Sequence, residues 1–137
     1  MNIMKNTMAT EGQKKRREAQ QQLAGEVKNL MGHSEHEGLC WQGTRIDLME
    51  ALHLAYETGS LQDEQGICLS FSTIVCRACR VLHVSCPRNP YECAARGKRR
   101  KGMLMNTFMC RYERQMQASE HTNILWRNIS GQPLYEA

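Results

Sequence analysis

From Leu39 onward, apolar residues recur every three or four positions, and this helical period organises most of the chain. Ile46, Met49, Leu52 and Tyr56 share one face, widened by Leu48 and Ala55. Thr44 precedes them as an N-cap, with Asp47 three residues later in the place of a capping-box acid, and Gly59 follows as a C-terminal glycine. A first core helix is therefore predicted over 45–58. A second, over 69–83, is capped by Ser70 or Ser72 and buries Phe71, Ile74, Val75, Ala78 and Leu82. Cys86-Pro87 then breaks the chain. Asn89, Pro90 and Glu92 supply the N-cap, first helical residue and capping-box acid of a third helix over 90–100. Its apolar face is thin: Cys93 and Ala94, with Tyr91 at the margin. A fourth helix, over 103–118, buries Leu104, Met105, Phe108, Met109, Tyr112 and Met116.

On either side of this block the pattern weakens. Residues 13–31 can form a helix with Leu23, Val27, Leu30 and Met31 on one face, but the stripe is narrow and Gly25 weakens it. Gly32 to Gly38 reads as a polar linker. Residues 1–38 are thus expected to be a partly disordered, flexible N-terminal arm and linker. Residues 39–120 are expected to form the folded domain and 121–137 a C-terminal tail. Leu125, Trp126 and Ile129 are available to dock that tail, and its last residues should fray.

Composition agrees with an all-α fold. Hydrophobic residues make up 41% of the 137 positions and aromatic residues only 6%, so the core is one of Leu, Met, Ile and Cys. The longest largely apolar stretch, 67–76, is too short to span a bilayer, and the basic N-terminus lacks the apolar centre of a signal peptide. A soluble, cytoplasmic protein without membrane partners is expected. The seven cysteines are odd in number and not spaced as a disulfide framework, so they read as reduced thiols.

Charge changes the picture more. The net charge is only +4, but residues 77–114 carry ten basic side chains against Glu92 and Glu113, whereas 18–76 carry Lys28 and Arg45 against nine acids. Such segregation asks for an anionic partner. A core helix, a Pro-containing turn and a capped, small, basic helix are the parts of a helix-turn-helix, with or without a wing. Helix 90–100 is then the recognition helix on double-stranded DNA. Ala94, Ala95 and Gly97 would allow close approach of its backbone. Arg96, Lys98 and Arg99 are the candidates for base or groove contacts. Arg77, Arg80, Arg88, Arg100 and Lys101 read as phosphate contacts, joined by Asn89 and Ser85 at the helix N-terminus. Tyr91 opens the same helix. A homodimer is an open option because such proteins pair on half-sites, although no coiled-coil seam is present. The Lys14–Arg17 run serves equally well as a DNA arm or a solubilising tail.

The run Trp41-Gln42-Gly43-Thr44-Arg45-Ile46-Asp47-Leu48-Met49-Glu50-Ala51-Leu52-His53, with Gly59 and Gly66 beyond it, resembles the C-terminal domain of the RteC-type regulators of conjugative transposons. Tyr91, the Arg96 to Arg99 stretch and the helix from Leu104 to Met116 continue the resemblance, which covers roughly 39–117. It implies a transcriptional regulator of element excision or transfer genes. The chain departs from that family in lacking its long N-terminal domain and in its wealth of cysteine. A stand-alone module, a truncated copy and a remnant without regulatory activity are all compatible with that.

Zinc is the sharpest rival. Cys76-x-x-Cys79 with Cys86, Cys93 and His83 is the right set of ligand types. A second Cys-x-x-Cys is missing, however, and the first pair falls in an apolar helical stripe, so no cofactor is expected. Catalysis lacks support as well. His53, Glu50 and Glu57 lie on one helix without a nucleophile or a phosphate loop, as in an ordinary surface of i,i+4 pairs. An adaptor that uses its basic surface to bind acidic protein or RNA is the remaining alternative. Few aromatics adjoin the basic helix to stack single-stranded bases, which favours duplex DNA.

Overall fold

The computed structural model describes residues 3–99, 107–118 and 123–131. Five α-helices dominate them: α1 (Ile3–Met31), α2 (Arg45–Glu57), α3 (Phe71–Leu82), α4 (Pro90–Lys98) and α5 (Phe108–Ala118). Two-residue strands, β1 (Cys40–Trp41) and β2 (Ile129–Ser130), pair antiparallel, with Cys40 opposite Ser130 and Trp41 opposite Ile129. The fold is mainly helical, as the apolar period predicts.

Helix α2 lies at the centre, with Leu48, Met49, Ala51, Leu52 and Ala55 fully buried against α1, α3, α4 and α5. Thr44 caps it by accepting from the Asp47 amide at 3.0 Å. The Asp47 carboxylate does not complete a capping box but binds Arg111 of α5 at 2.8 Å. Ser70 caps α3 and Asn89 caps α4 in the same manner as Thr44.

Two segments beyond the expected 39–120 bounds pack into the core, the C-terminal one through the residues expected to dock it. In α1, Ala19, Leu23, Ala24, Val27 and Leu30 are buried, while residues 11–18 are exposed. The narrow stripe suffices because the two alanines extend it, and Gln20 Nε2 donates to the Leu54 carbonyl at 2.8 Å. Gly25 is on the outer face with nothing near it, so it weakens the helix without disturbing the packing. At the other end, Ile124, Leu125 and Ile129 are buried, and Trp126 packs against the core. Glu26 ties the two segments together: its buried carboxylate accepts from the Leu125 amide at 2.9 Å and from the Tyr112 hydroxyl.

The linker over 32–38 is ordered around a short 3-10 turn, Glu35–Glu37, with Ser34 and Glu37 forming a reciprocal capping box and Gly38 at φ 78° closing it. Helix α5 is held at its start by Glu50, whose buried carboxylate accepts from the Phe108 and Met109 amides at 3.1 and 3.0 Å. That carboxylate meets the positive end of a helix that brings no acid of its own to its first turn. The expected start of this helix at 103, with Leu104 and Met105, lies outside the described residues.

Candidate nucleic-acid interface

Helix α4 is short, and three stripes run along it. The inner stripe, Cys93, Ala94 and Gly97, is buried on α2. At Gly97 the approach is so close that a Cβ atom would lie 2.9 Å from Glu50 Oε1 and 3.1 Å from Ile46 Cγ2. Ala94 and Gly97, expected to let α4 approach nucleic acid, instead let it approach α2. The sequence marks the small residues but not the side of the helix they serve.

The flanking stripe, Tyr91, Ala95 and Lys98, leans over His53 of α2. Lys98 Nζ donates to His53 Nδ1 at 2.5 Å and stands 3.6 Å from Glu57. With its side chain 32% exposed, Lys98 leans on α2 in this arrangement. Tyr91 is half exposed and packs its ring 4.7 Å from Phe71 and 5.7 Å from His53. An aromatic group of His53, Tyr56, Phe71 and Tyr91 therefore adjoins the basic helix. Sequence reasoning missed it because its members come from three helices.

The outer stripe is Glu92, Arg96 and Arg99. The two arginine side chains are 61% and 62% exposed and share Glu92, at 4.0 and 3.1 Å. Glu92 spends its carboxylate here rather than in a capping box. At the helix start Arg88 and Asn89 are exposed, while the Asn89 side chain is engaged as the cap. Arg100 and Lys101 lie outside the described residues.

Arg77 and Arg80 occupy a different neighbourhood. They line a groove of about 310 Å³ with His33, Ser34 and His36, where Arg80 stands 3.8 Å from Glu35. The link between α3 and α4 spans seven residues, 83–89, longer than the three or four of a tight helix-turn-helix. The Arg45 guanidinium holds this link by donating to the Ser85 carbonyl at 3.2 Å. Among the described residues the strand pairing β1–β2 joins distant parts of the chain and forms no wing hairpin.

Of the four cysteines named as weak metal candidates, Cys79 is buried on α3 within reach of the exposed Cys76 and Cys86, and Cys93 is buried on the inner face of α4. Cys76 therefore lies outside the apolar stripe in which the sequence placed it. Burial, with neighbouring Cys86, pushes the Cys79 thiol up to about 12. Among the described residues no three His, Cys, Asp or Glu side chains are grouped to hold a metal ion, and no helix is long and apolar enough to cross a membrane.

No protein-family model matches this chain, and neither a curated protein nor a solved structure does.

Proposed function

We propose that this protein is a DNA-binding regulator that contacts duplex DNA through the outer stripe of α4. The observation that carries this reading is the division of the helix into faces. Cys93, Ala94 and Gly97 are spent on α2, while Arg96 and Arg99, one turn apart, project into solvent, and Arg88 is exposed before the start of the helix. Arginine at such positions can bind phosphate oxygens or a guanine edge in two-pronged fashion. Glu92 does not oppose this strongly, since exposed ion pairs contribute little and a phosphate competes for the same guanidinium groups. In this reading the 83–89 link is a long form of the helix-turn-helix turn. The regulatory setting, genes of element excision or transfer, follows from the RteC-type resemblance of Trp41 to His53.

The test is fluorescence anisotropy with a random duplex across a salt series. With four to six phosphates contacted, log K should fall with log salt at a slope of about −4 to −5. The double variant Arg96→Ala/Arg99→Ala should lose binding while keeping its helical circular dichroism. Absence of binding by the parent protein at low salt, or full binding by the folded variant, overturns the proposal.

A further inference from the structure

His53 and Lys98 meet across the seam between α2 and α4. For Lys98 Nζ to donate to His53 Nδ1 at 2.5 Å, the imidazole must be neutral, with its Nδ1 lone pair free and its proton on Nε2. Glu57 reaches both partners, 3.8 Å from Nδ1 and 3.6 Å from Nζ. Among the described residues, the titratable groups facing His53 are thus Lys98 and Tyr91 from α4, with Glu57 and Tyr56 from α2, and α3 contributes the Phe71 ring. Glu92 lines the same recess, about 420 Å³, with Asn89 and Ala95. Burial and then the Lys98 charge hold His53 below the usual imidazole range, with Glu57 acting in the opposite sense.

We propose that protonation of His53 releases Lys98 from α2, so that acidification adds a cation to the solvent side of α4. Once Nδ1 carries a proton it no longer accepts from Lys98, and two positive groups in contact repel. Glu57, one turn along α2, then pairs with the imidazolium. Lys98 has a four-carbon stem and a partly exposed amine, and it can swing into solvent without moving the backbone. The consequence for nucleic acid rests on the function proposed above and amounts to regulation of that same surface.

The decisive measurement is a pH titration of the full chain by NMR, following the His53 ring and the Lys98 ε-methylene. The Lys98 signal should move through the His53 transition, and this step should vanish in His53→Gln. In Lys98→Met the His53 pKa should rise. A Lys98 signal that ignores the transition, or a His53 pKa unchanged in Lys98→Met, overturns the proposal. Duplex binding supplies a separate arm. Below the transition the salt slope should steepen by about one unit, the contribution of one further phosphate contact. This should occur in the parent protein and in neither variant; the remaining histidines are common to all three. Equal slopes on both sides of the transition would refute recruitment of Lys98. Failure to bind DNA at any pH would refute the functional reading instead, while the NMR titration still decides the release.

Discussion

Replacing Gly97 by alanine tests the seam on which the division of α4 depends. In a helix interior, Gly to Ala stabilises by about 0.8–1 kcal/mol, because alanine has less backbone freedom to lose. At Gly97 the new methyl would lie 2.9 Å from Glu50 Oε1, 3.1 Å from Ile46 Cγ2 and 3.2 Å from Glu50 Cβ. The Glu50 carboxylate cannot easily yield, since it is 1% exposed and fixed by two amides of α5. Overpacking of this kind costs about 1–3 kcal/mol. Gly97 lies near the end of α4, so its propensity gain is at most the interior value. A net loss of about 1 kcal/mol is expected, the midpoint of the packing cost less the propensity gain. Gly25→Ala is the matched control, because Gly25 sits inside α1 with nothing within 4 Å of the added methyl. It should stabilise by up to about 1 kcal/mol. The difference between the two variants largely cancels propensity and isolates packing. Urea unfolding followed by helical circular dichroism reads both values. If Gly97→Ala stabilises as much as Gly25→Ala, α4 is not closely seated on α2 and the assignment of its faces fails.

Two further outcomes are expected. Burial raises the Glu26 carboxyl above its ordinary 4.5, against the opposing hydrogen bonds from Tyr112 and Leu125. Between the unfolded and folded pKa values the folded state therefore binds more protons, and this group's contribution to stability falls as pH rises. Glu26→Gln cannot titrate, so its stability relative to the parent should improve from about pH 4 to about pH 7; a constant difference would contradict the burial argument. A thiol-specific reagent should label Cys68, Cys76 and Cys86 first, because these are exposed, and should reach Cys79 and Cys93 only on unfolding. Early labelling of Cys93, read by peptide mapping, would show α4 lifting from α2.

What the sequence makes legible is local. Thr44, Ser70 and Asn89 each cap the predicted helix, because an N-cap depends on one side chain and an amide two or three residues away. Placement across the chain is harder to read. The inward role of α1 was hidden by a narrow stripe whose two alanines carry no strong apolar signal, and by Glu26, a carboxylate buried only because Tyr112 and Leu125 arrive from 86 and 99 residues away. Within the candidate site, the sequence marks Cys93 and Ala94 as the apolar face of α4, the one seated on α2, but not which flank leans toward His53. Lys98 therefore looked equivalent to Arg96 and Arg99, although its partner His53 lies 45 residues away.

Pairing then divides the basic segment by what its partners are worth. Arg111 binds Asp47, whose side chain is 9% exposed, so that bridge is part of the fold. Lys98 is occupied by His53 and Glu57, and Arg80 stands beside Glu35 at the other groove. Arg96 and Arg99 share an exposed carboxylate, an arrangement worth at most about 1 kcal/mol that a phosphate can displace. Among the described residues, Arg88, Arg96 and Arg99 are the exposed cations of α4 and its approach, and Arg100 and Lys101 follow them in sequence. Five phosphate contacts correspond to a salt slope of about −4.5, inside the range expected for the whole protein. A much steeper slope would require cations beyond this set, such as Lys14 to Arg17 on the exposed part of α1 or Arg77 in its groove. The salt dependence thus measures how much of the basic segment the fold has already used.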